Sequence, residues 1–551
     1  MSKIKGSDLF VKCLEEEQVE YVFAVPGEEN LDLLESLRKS DIEVIVTRHE
    51  QVAAFMAATY GRLTGKVGVC MSTLGPGATN LVTGIAYAQL GGMPILAITG
   101  QKGIRDNWQA NFQVIDVVEM MSPITKKSVQ IKGPQNIPKE IRQSFKLAQE
   151  ERFGATHIEL PEDIASEEVE LTSPHKSVKV RRPIAHKKTL DIASDMIKES
   201  KMPVFIVSSR AQRNMVRDSL RKFCNNNNFY VIHTQLGKGV LGDNHKNSLY
   251  SFGIHKKDYL NKIVDKSDLI ITVGYSTQEH PPYVWNKNLD KKILHLDFVQ
   301  ASTDQFYSPD WEVVGDISAS LDLISQRLED YSYDDSYIKK TKEELEQKLF
   351  CEKFDDNSFP LKPRRIISDT RSVLGKEDII CMDNGIYKLW FSRHYKTYGI
   401  GTFLIDNTLA SMGAGLPSAM AAKMVNPKKK VLAVCGDGGF MMNSQDLETA
   451  VRLGLNVVVL LLNDNAYGFI KWKQNNYGFD DFALDVGNPD FVKYAESYGA
   501  IGMKVDKVED LKSKLEEAFK QDKPVIIECP IDYSENYEVW NKELDMIDNL
   551  S

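Results

Sequence analysis

Short apolar runs alternate with longer amphipathic stretches along most of the chain. In the first third, strand-like runs such as YVFAVPG and VGVCMSTLG are followed by helical patterns such as LDLLESLRKS and PGATNLVTGIAYA. The alternation returns near residues 203–298, with PVFIVSS, YVIHT and DLIITVG, and near 378–530, with KVLAVCG, NVVVLLLN and PVIIECP. This pattern predicts βαβ units, in which parallel strands form a sheet that has helices on both faces.

Two segments of different composition separate these blocks. Residues 172–189, TSPHKSVKVRRPIAHKKT, are basic and interrupted by proline, as is typical of a solvated linker. Residues 328–359 are rich in Glu, Lys and Asp, and their middle, KKTKEELEQKLF, has a helical pattern. The sequence therefore predicts an α/β fold of three doubly wound parallel-sheet domains, over residues 1–170, 185–330 and 360–551.

The composition is typical of a chain with several globular domains, and it argues against nucleic acid and membranes as partners. At 551 residues the chain is longer than one hydrophobic core usually supports, and 42% hydrophobic residues leave enough apolar surface for several cores. A net charge of −9 argues against nucleic acid, because no domain has the excess of Lys and Arg that binding a phosphate backbone needs. The N-terminus MSKIKGSDLF lacks the features of a signal peptide, and no apolar stretch approaches ~20 residues, so we expect a cytoplasmic protein without membrane contact.

The segment VLAVCGDGGFMMN, residues 431–443, leaves an apolar strand through glycines. In an open α/β sheet, ligands lie beyond the carboxyl ends of the strands, and glycine lets backbone N–H groups approach a phosphate. Gly436, Gly438 and Gly439 meet this need. Asp437 would repel a phosphate unless a divalent cation lay between them, which makes it a candidate metal ligand. For the motif alone, an ordinary glycine turn is the structural alternative.

A second acidic residue follows the next predicted strand. NVVVLLL ends at Asn463, Asp464 and Asn465, and one helix and one strand separate Asp464 from Asp437. That spacing returns the chain to the same edge of the sheet. Because Mg²⁺ needs more oxygen ligands than one carboxylate supplies, we expect both aspartates to converge on one Mg²⁺ ion.

The order GDG, helix, strand and N-D-N resembles the cofactor-binding signature of thiamine-diphosphate-dependent enzymes. The resemblance implies that the backbone carbonyl of Ala466 completes the Mg²⁺ shell of the two aspartates. It also implies a diphosphate site that extends over the residues after this carbonyl, Tyr467, Gly468 and Phe469. Upstream, DNGIYKLW (383–390) is similar to the other diphosphate-contacting loop of the family through Gly385, Ile386 and Tyr387, although the family more often has a Gln-His pair there.

The first domain resembles the pyrimidine-binding domain of the same enzymes. VTRHEQVAAFMAATYGRLTG is similar to the family segment whose glutamate hydrogen-bonds N1′ of the aminopyrimidine, which makes Glu50 the candidate activator of the cofactor. A surface charge in the first turn of a helix is the structural alternative. The neighbouring segments PGEENLDLLE and STLGPGATNLVTG are also similar, so Pro26, Pro76 and Asn80 are expected at the pyrimidine pocket, with helix capping as the alternative for Asn80.

A third segment, DNTLASMGAGLPSAMAA (406–422), resembles the part of the family that bends the thiamine. The resemblance implies that Met412 lies between the two rings of the cofactor and that the Ala410 carbonyl accepts a hydrogen bond from the 4′-amine. A methionine among small residues is otherwise typical of core packing. In the family the two domains around one cofactor come from different subunits, so a homodimer is the expected minimum and a homotetramer is the expected assembly.

The residues near the expected substrate favour carboligation. Simple pyruvate decarboxylases of this family have a Glu four positions after the metal-binding carbonyl and paired histidines in the first domain, whereas this chain has Ile470 and the pair Phe112-Gln113. The segment NFQVIDVVEMMSPITK resembles acetolactate synthases, in which the Gln lies near the bound intermediate. Gln113 could orient an acceptor carbonyl without donating a full proton, or it could bond to a loop backbone. Lys473 stands at the position that distinguishes acceptors, where it would meet the acceptor carboxylate or face solvent.

The central segments and the ending CPIDYSENYE resemble catabolic acetolactate synthases that lack FAD. FAD-dependent relatives typically have a glycine-rich turn and an arginine-containing loop where this chain reads VSSRAQR and VGYSTQE, so no FAD is expected. The expected cofactors are thiamine diphosphate and Mg²⁺, the substrates are small 2-oxo acids, and the expected reaction converts two pyruvates into 2-acetolactate and CO₂. A decarboxylase that releases an aldehyde is the first alternative, and a relative that binds the cofactor without turnover is the second.

Overall fold

The computed structural model describes residues 3–105, 111–170, 173–253, 255, 257–329, 331–351, 354–484 and 486–545. Within these residues it contains three six-stranded sheets, one inside each predicted domain, and every strand pairing in them is parallel. The predicted fold of three parallel-sheet α/β domains is therefore confirmed. The domain bounds 1–170, 185–330 and 360–551 stay predictions, and residues 1, 330 and 551 lie outside the described residues.

The first domain is built from strands β1 (Lys3–Lys5), β2 (Tyr21–Ala24), β3 (Glu43–Val46), β4 (Gly68–Ser72), β5 (Ile95–Gln101), β6 (Ser128–Gln130), β7 (Ala155–Pro161) and β8 (Glu168–Glu170). Its helices are α1 (Gly6–Glu16), α2 (Leu31–Leu37), α3 (Glu50–Thr64), α4 (Pro76–Gly91), α5 (Val117–Met121), α6 (Ile137–Gln149) and α7 (Glu162–Ser166). The sheet order is β3-β2-β4-β5-β7-β6, and β1 pairs with β8 in a separate antiparallel ribbon.

The central domain has strands β9 (Pro203–Val207), β10 (Tyr230–His233), β11 (Ser248–Ser251), β12 (Leu269–Val273), β13 (Lys292–Asp297) and β14 (Trp311–Val314), in the order β11-β10-β9-β12-β13-β14. Its helices are α8 (Lys187–Glu199), α9 (Asn214–Asn227), α10 (Asn261–Lys266), α11 (Tyr283–Asn286) and α12 (Ile317–Arg327). The predicted connector after it contains α13 (Ser336–Phe350).

The third domain has strands β15 (Ile379–Met382), β16 (Phe403–Leu404), β17 (Val431–Gly436), β18 (Val458–Asn463), β19 (Ile501–Lys504) and β20 (Val525–Pro530), in the order β16-β15-β17-β18-β20-β19. Its helices are α14 (Pro363–Val373), α15 (Ile386–His394), α16 (Gly415–Val425), α17 (Asp437–Asn443), α18 (Leu447–Arg452), α19 (Gly468–Asn476), α20 (Phe491–Ser497) and α21 (Asp510–Ala518). A π-helical segment spans Tyr537–Glu543.

The third sheet is buried on both faces, which explains its unbroken apolar runs. Along β17, Val431, Ala433 and Cys435 pack into one apolar cluster, whereas Leu432 and Val434 pack into another on the opposite face. This alternation follows from the two-residue period of a strand. The polar residues that function needs are therefore confined to the ends of these strands.

The first and third domains share a core. Helix α3 packs against α16, and apolar residues of both domains form a single buried cluster. Two hydrogen bonds reinforce this contact, from Thr59 Oγ1 to Ser418 Oγ at 3.1 Å and from Arg62 Nη1 to the Ile405 carbonyl at 2.8 Å. The two domains are thus joined by packing across a long sequence separation. No helix in the described residues is long and apolar enough to cross a membrane.

Candidate functional site

A cavity of about 270 Å³ lies at the carboxyl edge of the third sheet, where β15, β17 and β18 end. It is lined by Asn384, Gly385, Ile386, Tyr387, Lys388, Leu389, Ala410, Met412, Gly436, Asp437, Gly438, Gly439, Asp464, Ala466, Tyr467, Gly468, Phe469, Ile470 and Tyr533. This set contains all of the predicted third-domain cofactor residues. The structure therefore brings together segments that are separated by as many as 149 positions in the sequence, from Asn384 to Tyr533.

The register of β17 and β18 explains why the two aspartates meet here. The strands are parallel neighbours, and Gly436 lies opposite Leu462. Asp437 directly follows β17 and Asp464 directly follows β18, so both side chains leave the same edge of the sheet. Both aspartates line the cavity together with Ala466.

Both carboxylates bind a proton more readily than an exposed aspartate does. Burial, and then the negative charge of Asp437, raises the pKa of Asp464 to about 7. Burial also raises the pKa of Asp437. A buried pair of like charges is unfavourable unless a cation lies close to both. This arrangement fits a divalent cation, because carboxylate and carbonyl oxygens are the ligands that Mg²⁺ prefers.

Asn488 lies beside Asp437, and the sequence did not indicate it as a site residue. Its Nδ2 donates to Asp437 Oδ2 at 2.7 Å, to Asn463 Oδ1 at 3.2 Å and to Asn465 Oδ1 at 3.1 Å. Three oxygen atoms thus converge on one nitrogen. These bonds hold the Asp437 carboxylate and the side chains that follow β18 in fixed positions.

Another part of the cavity lining is suited to an anion. The first residues of α15 and of α19 line it, and neither helix has a side-chain N-cap, so the N–H groups at both N-termini are available. The Tyr387 ring lies against Gly436, where an added Cβ would be 3.0 Å from Cε1. The Tyr387 hydroxyl is buried and makes no hydrogen bond of normal geometry with the described residues. An unpaired buried donor is unfavourable, so this group fits an anionic ligand.

The segment 406–413 forms the side of the cavity that carries Ala410 and Met412. Ala410 has a left-handed backbone, with φ of 55°. The Asp406 carboxylate accepts hydrogen bonds from the backbone N–H groups of Leu409 at 3.1 Å and Ala410 at 2.8 Å. These bonds offset the strain of that conformation, which non-glycine residues rarely adopt.

Comparison with known proteins gives three matches in chain order. Residues 4–120, 190–324 and 383–529 match the N-terminal TPP-binding domain, the central domain and the C-terminal TPP-binding domain of thiamine pyrophosphate enzymes. Acetolactate synthase of Bacillus subtilis (strain 168) is 32% identical over 549 residues, which cover 98% of this chain and 96% of that protein. The chain belongs to the thiamine pyrophosphate enzymes.

Other relatives within these thiamine pyrophosphate enzymes have related names. The catabolic acetolactate synthase of Raoultella terrigena is 31% identical, with 96% of both chains covered. A probable acetolactate synthase large subunit of Methanococcus aeolicus is 32% identical, with 96% of this chain and 92% of that protein covered. The predicted resemblance to this family is therefore confirmed. The role of each site residue stays a prediction.

The first-domain candidates of this thiamine pyrophosphate enzyme form a second group. Glu50 is the first residue of α3, is 9% exposed, and accepts a hydrogen bond from Asn80 Nδ2 at 2.9 Å. The N-cap of α4 is Gly75, without a side-chain cap, so the capping alternative for Asn80 is wrong. Asn80 instead orients the carboxylate of Glu50.

Gln113 lies beside the start of α4. It has φ of 59°, and a Cβ added at Gly75 would be 2.6 Å from its carbonyl oxygen. Phe112 is 63% exposed, and Pro26 and Pro76 are exposed as well. Among the described residues, none of the first-domain candidates lines the cavity of the third domain. Within one chain, the first-domain candidates and the third-domain cavity are therefore two separate parts of the predicted site.

Two predicted substrate residues differ in position. Ile470 lines the cavity and is 50% exposed, at its rim. Lys473 is not part of that lining, and its Nζ lies 5.3 Å from the ring centroid of Trp472. The proposed contact of Lys473 with an acceptor stays a prediction.

The cavity also contains residues that the sequence reasoning missed, namely Asn384, Lys388, Leu389 and Tyr533. A signal existed for Lys388, because a lysine in the apolar stretch GIYKLW is unusual. A signal existed for Tyr533 as well, because it closely follows β20, the neighbour of β18.

Proposed function

We propose that this chain is a carboligase that uses thiamine diphosphate and Mg²⁺ to convert two pyruvates into 2-acetolactate and CO₂. The observation that carries the proposal is the cavity, in which Asp437, Asp464, Ala466, Tyr387 and Met412 come together. The names of the relatives, which align over nearly the whole chain, support the reaction.

Different residues of the cavity would bind different parts of the cofactor. Asp437, Asp464 and the Ala466 carbonyl would hold Mg²⁺, and the Tyr387 hydroxyl and the N-terminal N–H groups of α15 and α19 would hold the diphosphate. When bound, thiamine diphosphate supplies a nucleophilic carbon and accepts the electron pair that decarboxylation leaves behind. Met412 would keep the cofactor bent, and the Ala410 carbonyl would accept from its 4′-amine.

Glu50 would exchange a proton with N1′ of the aminopyrimidine. Its carboxylate is buried, and the hydrogen bond from Asn80 fixes its orientation. Because Glu50 does not line the third-domain cavity of its own chain, we propose that a second copy supplies it, in a homodimer at least and a homotetramer as the full assembly. The exposure of Phe112 and Pro76 supports a partner at this face.

The proposed preference for carboligation rests on the absence of an acid at two positions. Ile470 and the Phe112-Gln113 pair replace the groups that would protonate the enamine, so a second carbonyl compound can react instead.

We also propose that no FAD is needed. In VSSRAQR the guanidinium of Arg210 is bound to Asp297, with Nη2 2.6 Å from Oδ2. The cytoplasmic location stays a prediction.

Product analysis tests the proposal. Purified protein with Mg²⁺, thiamine diphosphate and pyruvate should release CO₂ and form acetolactate, which gives acetoin after acid treatment. CO₂ without acetoin, together with NADH oxidation by added alcohol dehydrogenase, would favour the aldehyde-releasing decarboxylase. Binding of the cofactor without CO₂ release would favour a non-catalytic relative. Adding 2-oxobutyrate to the pyruvate assay would then define the acceptor.

A further inference from the structure

Lys388 places a buried ammonium group between two loops of the cavity. It lies in the first turn of α15 and is 9% exposed. Its Nζ donates to the backbone carbonyl of Asp406 at 2.9 Å and to Oδ1 of Asn384. A buried lysine is rare because desolvation of its charge is unfavourable, so its presence here calls for a function.

Asn384 extends this contact to the far end of the same segment. Its Nδ2 donates to the Ser411 carbonyl at 2.6 Å. Next to it, the Asp383 carboxylate accepts from the Gly413 backbone N–H at 2.9 Å. Residues 383–388 therefore hold segment 406–413 at three points: Asp406, Ser411 and Gly413.

The held segment carries the two groups that are predicted to shape the cofactor, the Ala410 carbonyl and the Met412 side chain. Ala410 has a positive φ, which is unfavourable for an alanine unless neighbouring contacts fix it. The direction of its carbonyl thus depends on bonds on either side of it. Lys388 contributes one of these bonds directly and, through Asn384, supports a second.

We propose that Lys388 is a positioning residue, whose ammonium group fixes Asp406 and Asn384 so that the Ala410 carbonyl and Met412 keep the geometry that the aminopyrimidine needs. The proposal rests on the proposed thiamine diphosphate site and adds a residue for which the family resemblance gave no role. Lys388 acts through segment 406–413 and need not touch the substrate.

The ionisation of Lys388 agrees with this geometry. Burial lowers its pKa to about 8, while the negative charges of Asp406 and Asp383, the charged groups that face it, act in the opposite direction. The amine is charged below this pH and loses its charge as the pH rises through it. The clamp should therefore weaken on the alkaline side.

Hydrogen–deuterium exchange on the chain without cofactor tests the clamp directly. We expect Lys388→Met to raise the exchange rates of amides in 406–413 roughly tenfold or more, because hydrogen bonds to a charged donor are lost. Lys423→Met is the matched control. Lys423 is also a buried lysine, 8% exposed, but its Nζ donates to the Lys429 carbonyl at 2.8 Å, away from the cavity. This control should leave exchange in 406–413 within about twofold of the parent.

A second readout uses the loaded protein. In Lys388→Met, exchange of the C2 proton of bound thiamine diphosphate should slow by roughly tenfold or more, and the alkaline fall of this rate near pH 8 should disappear. Asn384→Ala should shift both readouts in the same direction, and the double variant should add little, because both residues act through one segment. If Lys388→Met does not fold, Asn384→Ala carries the same test.

Unchanged exchange in 406–413 and unchanged C2 exchange in a folded Lys388→Met protein would overturn the proposal. The proposed carboligase activity fails separately, when the parent protein forms no acetolactate from pyruvate. Amide exchange without cofactor does not depend on that result, so the two failures are distinguishable.

Discussion

Asn80 Nδ2 donates a 2.9 Å hydrogen bond to the carboxylate of Glu50. Glu50 is the first residue of α3, and Asn80 lies in the second turn of α4. Since the strands before these helices belong to one parallel sheet, both helices begin at the same edge of it. The candidate acid is thus oriented by its own chain before any partner or cofactor is bound.

Glu50→Gln should keep the fold and lose activity. The amide has the same volume but cannot exchange a proton with the pyrimidine, and such proton transfer contributes about 10²- to 10⁴-fold to a rate. We expect acetolactate formation to fall by at least ~100-fold with little change in melting temperature. Turnover equal to that of the parent would remove Glu50 from the catalytic role. Asn80→Ala should have a smaller effect of the same kind.

Asp464→Asn should stabilise the chain without cofactor and abolish the stabilisation by cofactor. The raised pKa of Asp464, about 7, means that its ionised form is disfavoured in the folded state. At pH 8 a neutral amide at this position removes the unfavourable free energy of the buried charge, but it also removes a proposed metal ligand. Thermal unfolding with and without Mg²⁺ and thiamine diphosphate measures both effects. A variant that the cofactor stabilises as much as the parent would contradict the metal assignment.

Gly468→Ala should weaken the proposed metal site through a steric effect. A Cβ at Gly468 would overlap Oδ2 of Asp464, whereas a Cβ at Gly487 would meet no heavy atom within 4 Å. We expect the concentration of Mg²⁺ needed for half-maximal activity to rise by roughly tenfold. Gly487→Ala is the matched control and should match the parent. Equal Mg²⁺ requirements for both variants would show that Asp464 is not a ligand.

Ile470→Glu should shift the products toward aldehyde. Ile470 is at the rim of the cavity, half exposed, so a glutamate there could be accommodated and could supply a proton. We expect the ratio of aldehyde to acetolactate to rise several-fold, measured by alcohol dehydrogenase coupling and acetoin formation in the same sample. Ile470→Gln, which cannot act as an acid, is the control. An unchanged ratio would mean that position 470 does not face the enamine.

His157→Gln should make the melting temperature less sensitive to acid pH. His157 is fully buried between Thr99 and Ser128, and burial lowers its pKa to about 3. Because the unfolded chain binds this proton near pH 6.5, the contribution of neutral His157 to stability is complete above that pH and is lost as the pH falls from about 6.5 toward 3. The melting temperature of the variant should fall less between pH 7.5 and 5 than that of the parent. The exposed His175, changed to Gln, should leave the parent profile unaltered.

Most of the fold could be predicted from the sequence. Parallel strands that are buried on both faces appear in it as unbroken apolar runs between amphipathic helices. The proximity of Asp437 and Asp464 could also be predicted, since one helix and one strand return the chain to the same sheet edge. The contribution of Asn488 could not be predicted, because its side chain reaches Asp437 from an irregular stretch with no periodic pattern. The contact between Lys388 and Asp406 could not be predicted either, because it depends on how the start of α15 packs against segment 406–413.

The sequence also left open what covers α3. The stretch AAFMAATYG is apolar on nearly all sides, which predicts a buried helix but not its neighbour. The structure places α16 of the third domain against it.

That shared core has a consequence for synthesis of the protein. While a ribosome extends the chain, α3 emerges more than 300 residues before the helix that will cover it. The nascent first domain must therefore keep an apolar surface exposed through translation of the central domain. Chaperone binding and aggregation at this stage would compete with folding, and truncated chains that end before α16 should be the most vulnerable products of interrupted translation.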